Sequence, residues 1–268
     1  MSTPSLLVTT SGATGSPRYT LLLAHHQDDI RAAQRLRHRV FAGEMGAVLH
    51  TPERDLDIDD YDEHCDHLVV REDSSGEIVG TYRMLSPQGA RRAGGLYCEN
   101  EFVIPALAGL RDTLVETGRS CVHPDHRTGA VVNLVWAGIA RYMLLTGYRW
   151  LVGCASVPVC TPGAPNGALA AWVWDTVRAR HLAPEQHRVV PRLPWDVESA
   201  RRSCSDTVAA GPKRPSLPPL LRGYLRLGAW VCGPPAHDPD FGVADFLVLL
   251  SLDRVDPRYL RHFLGEAP

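Results

Sequence analysis

Residues 67–85, HLVVRED-SSG-EIVGTYRML, place two β-rich runs on either side of a Ser-Gly turn, and this hairpin limits the fold more than any other stretch. Its β-branched and aromatic residues suit a pleated, half-buried surface, and its turn carries residues that let the chain reverse. A chain with such a hairpin contains antiparallel pairing, which excludes an all-parallel sheet and a helical bundle. Strands and helices interleave around it. RYTLLLAHH predicts a strand over about 18–25. Asp28 or Asp29 is placed to cap a helix in which Ile30, Ala33, Leu36, Val40 and Phe41 recur at helical spacing, with Gly43 and Gly46 as its stop. TGAVVNLVWAGIARYMLLTG reads as a helix apolar on all sides, hence buried, with Gly147 at its C′ position. RWLVGCASV reads as a strand and NGALAAWVWDTVRAR as a helix capped by Asn166. After 219 come a helix, a strand at 243–251 that looks too isolated for a sheet of its own, and a terminal helix.

This order predicts one α/β domain over 18–268, a mixed sheet flanked by helices. Residues 1–17 read as a disordered extension and 160–219, dense in Pro, Arg and Ser, as an irregular insertion or lid. With 44% apolar residues in 268, the chain can bury a full core. The formal charge of −2 comes from interspersed signs, so no basic field marks a nucleic-acid partner. Seven cysteines, an odd number without CxxC spacing, point to a reducing compartment. No unbroken run of about 18 apolar residues occurs. Together these predict a cytoplasmic location.

The polar residues that stand out are Arg37 with Phe41 four positions on, Asp59 with Asp62, Arg83 ending VGTYR, and Glu116 with Arg119 inside the apolar run LVETGRSCV. A carboxylate placed in a strand can serve as a general base. The alternative is an Arg-Glu ion pair that closes the end of a buried strand. Residues three apart on a regular strand face opposite sides, so a groove shared by Glu116 and Arg119 requires a bulge, which Gly118 would admit. HHQDD and HCDHL hold metal-ligand residue types, yet His64, Cys65 and His67 lie too close together for a tetrahedral site, and no metal is expected.

HRVFAGEMG, DIDDYDEHCDHLVV, VGTYRML, ETGRSCVHPDHR, LVGCASV, PPLLRGYLRLGAWVCG and DFLVLL, taken in order, resemble the motifs of the ornithine acyl-[acyl-carrier-protein] N-acyltransferases. These are similar in turn to the N-acyl-homoserine-lactone synthases and share the GNAT fold. The resemblance implies a GNAT-like, mostly antiparallel central sheet and a strand bulge near Gly118 that opens a slot for the donor's pantetheine. It implies transfer of a fatty or 3-hydroxy-fatty acyl group from acyl carrier protein to the α-amine of ornithine or a related amino acid, giving a lyso-ornithine lipid. The competing readings are a homoserine-lactone synthase and a non-catalytic acyl-carrier or lipid-binding module. Ala47 stands where those synthases carry a tryptophan, which argues against the first.

In the same sense Glu116 is the expected base and Arg119 its catalytic companion, while Arg37, Phe41, Asp59, Asp62 and Arg83 form the acceptor pocket. Val122, Arg127 and Gly129 serve the acyl donor. A typical GNAT chain has a Q/R-x-x-G-x-G/A loop for the pyrophosphate of coenzyme A. HPDHRTGAVV lacks its second glycine, which favours a carrier-protein phosphopantetheine thioester over acyl-CoA, with no resident cofactor. The helix within PPLLRGYLRLGAW, with Arg222 and Arg226, is the candidate for peripheral membrane contact.

Overall fold

The computed structural model describes residues 5–9, 17–127, 129–160, 166–200 and 216–264. The strands are β1 Ser5–Thr9, β2 Tyr19–Ala24, β3 Asp66–Glu72, β4 Ile78–Leu85, β5 Phe102–Val103, β6 Leu114–Val122, β7 Trp150–Pro158, β8 Val190–Pro191, β9 Trp230–Val231, β10 Ala236–Asp238 and β11 Val243–Ser251. The helices are α1 Gln27–His38, α2 Pro87–Arg92, α3 Gly129–Thr146, α4 Ala168–Arg180, α5 Pro219–Arg226 and α6 Pro257–Leu264. The fold class is mixed α/β, with a mainly antiparallel sheet flanked by helices. Two compact units divide the chain: Met1–Gly95 with Thr113–Arg149 and Asp256–Pro268, and Leu96–Asp112 with Trp150–Val255.

In the first unit β1, β2, β3, β4 and β6 pair in that order, each antiparallel to the next. The β3–β4 hairpin forms as the sequence predicts, with Gly76 at φ 75° in its turn. All eight residues of β4 are buried because both sheet faces are covered. On the Gly80 face α3 lies so close that a Cβ on Gly80 would stand 3.2 Å from Val131. Helix α1 packs on β4 and β6.

Several elements differ in detail from the expectation. Ser5–Thr9 falls inside the stretch read as disordered, yet it forms β1 beside β2, and the Arg141 guanidinium donates to the Leu7 carbonyl at 2.8 Å. Residues 1–4 and 10–16 lie outside the described residues. Helix α1 starts after His26, so Asp28 and Asp29 sit in its first turn, where they favour the positive end of the helix dipole. The chain then continues through a π-helical turn, Arg39–Glu44, and Gly46 ends it at φ 75°. Helix α3 ends at Gly147 as predicted, at φ 74°. It is long and apolar enough to cross a bilayer, but it is not buried all round: Leu134, Ile139 and Met143 are buried, whereas Val132, Leu144 and Leu145 are exposed.

One contact ties α2 to the segment that precedes β3. A Cβ on Gly89 would lie 2.2 Å from the backbone carbonyl oxygen of His64, and backbone cannot swing aside as a side chain can. Gly89→Ala is expected to lower stability by about 1–3 kcal/mol in urea titration. An unchanged midpoint would show that the two segments separate without cost.

In the second unit β7 and β11 pair antiparallel along their whole length, from Trp150 opposite Ser251 to Pro158 opposite Val243. Strand β11 also pairs with β9 and β10, so the segment 243–251 is paired along both edges rather than an isolated strand. Burial of all nine of its residues follows from that place. Within the span read as an irregular insertion, α4 is regular, and it is capped by Gly167 at φ 76° rather than by Asn166. Residues 161–165 and 201–215 of that span lie outside the described residues. In α5 the side chains of Leu221, Tyr224 and Leu225 are buried and Leu220 is partly exposed, while Arg222 and Arg226 are exposed.

Strand β11 carries one acidic residue in its buried run, Asp245. Its carboxylate accepts from the Ser156 hydroxyl at 2.6 Å, which gives Ser156 a structural partner. Glu101, Asp238 and Asp245 bring carboxylate oxygens within 4.8 Å of one another. Burial first, then the charges of Asp245 and Asp238, push the Glu101 carboxyl up to about 9, so at neutral pH it holds a proton and donates within the group. An unfolded chain would release that proton near pH 4.5, so the contribution of Glu101 to stability falls as pH rises from about 4.5 to about 9. Glu101→Gln is expected to flatten the fall of stability across this range in denaturation at several pH values. Equal slopes for variant and parent would refute the shared proton.

Candidate active site

The site starts from an irregularity in the β4–β6 ladder. Leu85 faces Glu116, Met84 faces Thr117 and Arg83 faces Gly118, but Thr81 then faces Cys121. Arg119 and Ser120 therefore oppose Tyr82 together, a β-bulge. The sequence places the conformational freedom for this bulge at Gly118; in the structure it is Arg119 that takes a left-handed backbone, at φ 51°. That conformation is uncommon for a residue with a Cβ and persists only where neighbours hold it.

Directly paired residues share a sheet face, so Glu116 and Leu85 point the same way, and so do Gly118 and Arg83. Tyr82 and Thr117 occupy the opposite face, joined hydroxyl to hydroxyl at 3.4 Å. Beyond the bulge the Arg119 guanidinium reaches the Asp59 carboxylate at 3.1 Å, and Arg83 donates to the other oxygen of the same carboxylate. One inserted residue thus turns Arg119 to the face that Glu116 and Arg83 already share.

Against that face lie α1 and the acidic segment 57–62. Arg37 donates to both oxygens of Asp62 at 3.0 and 2.6 Å, and to the carbonyl of Asp57. Arg83 reaches Asp62 at 3.0 Å, and Gln34 donates to Asp62 at 3.2 Å. The Asp57 carboxylate stands 2.8 Å from Nε of Arg37 and 3.2 Å from Nε of Arg119. Three guanidinium groups and three carboxylates cancel, which is what lets so many charges be buried. Burial alone would raise the Asp62 carboxyl, but Arg37, and after it Arg83 and His67, overcome that and hold it well below the usual carboxylate range.

His67 and Cys65 complete the surroundings. Nε2 of His67 lies 3.0 Å from the Asp62 carbonyl, which can only accept, so this nitrogen carries the proton, and burial lowers the ring's affinity for a second one. Burial pushes the Cys65 thiol up to about 12, against the pull of Arg83, while Asp62, Asp59 and Glu116 push in the same direction as burial. A thiol of that kind stays protonated at neutral pH.

The structure brings Arg37, Asp59, Asp62, Arg83 and Arg119 into one connected group. Phe41 is buried within the π-helical turn after α1. Glu116 is 5% exposed, Arg37 is fully buried, and the side chains of Asp59 and Arg119 are 19% and 13% exposed, so the last two are the most open members of the group. The residues assigned to the donor lie at the far end of β6. Nε of Arg127 donates to the Val122 carbonyl at 3.2 Å, and its two terminal nitrogens hold Glu44 in a bidentate pair, each at 2.6 Å. Gly129 is the exposed first residue of α3. Sequence reasoning missed Asp57 and Gln34. Asp57 sits in an acidic loop where Asp59 and Asp62 look equally plausible, and only the folded contacts separate the three.

The chain matches the model of the acetyltransferase (GNAT) domain over residues 36–137, a span that holds every residue of this group except Gln34. It is 35% identical to an L-ornithine N(alpha)-acyltransferase of Rhizobium meliloti over 260 residues, covering 91% of this chain and 84% of that protein. A protein of the same name from Agrobacterium fabrum is 34% identical, with 91% and 85% covered. A solved CoA-dependent acyl-homoserine lactone synthase superposes with a TM-score of 0.51 at 16% identity, covering 91% of this chain and 85% of that one, which shows the shared fold. With this much identity across nearly its whole length, the chain is an acyltransferase and belongs to the L-ornithine N(alpha)-acyltransferase family.

Proposed function

We propose that this chain transfers a fatty or 3-hydroxy-fatty acyl group from an acyl carrier protein thioester to the α-amine of L-ornithine, giving a lyso-ornithine lipid. The observation that carries the reading is the 35% identity, over 91% of the chain, to a protein named for ornithine N-acylation. The bulged strand supports it, because Glu116 and Arg119 share the face on which Arg83 and Asp59 meet.

In this mechanism the neutral α-amine nitrogen attacks the thioester carbonyl carbon to form the C–N bond, the C–S bond breaks, and the sulfur leaves as a thiolate that takes up the proton passed on by Glu116 to become the thiol of phosphopantetheine. Glu116 accepts the proton that the amine nitrogen loses, directly or through a water. Backbone N–H groups near Val122 polarise the carbonyl, and Arg119 with Arg83 orders the acceptor. Asp59 is the carboxylate available to the ammonium on the ornithine side chain, since it is the most exposed of the three aspartates. The reaction takes place in the cytoplasm, with no resident cofactor or metal.

The test is release of free thiol from acyl carrier thioester and from acyl-CoA, with ornithine, lysine or S-adenosylmethionine as acceptor and mass spectrometry of the products. N-acyl-ornithine made from the carrier thioester is the expected product. A homoserine lactone, or turnover with acyl-CoA alone, would overturn the acceptor or the donor respectively.

A further inference from the structure

The three aspartates do not hold the arginines in the same way. Asp62 serves Arg37 and Arg83, Asp59 serves Arg83 and Arg119, and Asp57 alone joins Arg37 to Arg119. Asp57 is itself fixed at both backbone ends. Its N–H donates to the Gln34 carbonyl at 3.1 Å, and its carbonyl receives the Arg37 guanidinium. It is 3% exposed, which leaves a substrate no access to it. The residue at the other end of its ion pair is Arg119, which has φ 51° in the bulge.

A left-handed backbone is unfavourable at a residue with a Cβ and relaxes unless its surroundings hold it. Relaxation at Arg119 would undo the extra residue opposite Tyr82, and a one-residue change of register turns successive side chains to the other face. Glu116, three residues earlier on the same strand, would then lose its shared face with Arg119. We propose that Asp57 is a positioning residue: anchored on α1 through Gln34 and Arg37, it clamps the Arg119 side chain and so keeps the bulge that sets Glu116 and Arg119 on one face. The inference rests on the reading of Glu116 as the base.

The experiment compares wild type, Asp57→Asn, Arg119→Gln and the double variant, in steady-state transfer to ornithine and in urea titration. Asp57→Asn is expected to lower kcat about 100-fold, the size of effect that misplacing a catalytic group by an ångström produces, with little change in the KM of the thioester. In the Arg119→Gln background the same substitution should change kcat less than twofold, because the clamp has nothing left to hold. The double variant restores charge balance in the group, so it keeps the test open if Asp57→Asn alone does not fold. A folded double variant with a kcat well below that of Arg119→Gln would overturn the proposal, as would wild-type kcat in Asp57→Asn. Glu116→Gln is measured alongside. If it turns over at the wild-type rate, the base assignment is lost, while the coupling of Asp57 to Arg119 is still read from the four-variant comparison.

Discussion

Glu116→Gln should lower kcat for acyl transfer to ornithine by about 100- to 10,000-fold, the range that removal of a positioned general base produces. The substitution keeps the shape of the side chain and removes its capacity to take a proton at working pH. Glu116 lies opposite Leu85 within a regular stretch of the ladder, before the bulge, so an isosteric change there leaves the strand register in place. The loss should therefore fall on kcat, with the KM for ornithine and the urea midpoint close to wild type. A raised pH should restore part of the rate, because a larger fraction of the amine is then neutral without help. Turnover at the wild-type rate would show that the proton leaves by another route.

Arg37→Ala should cost about 3–5 kcal/mol of stability, as breaking a buried ion pair from one side does. The Arg37 side chain has no solvent exposure and holds Asp57 and Asp62, which are themselves buried. Without it two carboxylates remain in an apolar setting with a reduced share of positive charge, and the loop 57–62 loses its attachment to α1. Urea titration by circular dichroism measures the loss. A change below 1 kcal/mol would mean that water replaces the guanidinium, and that the group is far less sealed than its burial suggests. The same group predicts behaviour in acid. The Asp62 carboxyl is held below its ordinary value in the folded chain, so the stability it contributes is complete above pH 4 or so and declines as pH falls further. Arg37→Ala should weaken that acid dependence along with the stability itself.

Much of this was legible in the sequence where a local rule governs. The hairpin 67–85 has a Gly at the turn position that takes φ 75°, and the helix before Gly147 ends where a left-handed residue allows it, whereas the run 243–251, read as too isolated for a sheet of its own, pairs with β7 along its whole length. The residue types of the candidate site were legible as well, because charged side chains inside apolar runs are costly unless they are used or paired. Helix starts were read less accurately. His26 and Gly167 precede the first turns, since packing on the sheet outweighs the modest energy of a side-chain cap.

By itself, then, the amino-acid order determined that this chain makes an antiparallel hairpin sheet with helices on it, and it singled out Glu116, Arg119, Arg83 and the acidic loop as the candidate site. Tertiary structure decided which aspartate holds which arginine, that the left-handed residue is Arg119 rather than Gly118, and that Glu101, Asp238 and Asp245 bring their carboxylates together from elements far apart in the chain. The reason is range. Turn, helix and strand preferences are set by atoms a few residues apart, whereas ion pairing and the cost of burying charge depend on groups that meet only after the chain has folded.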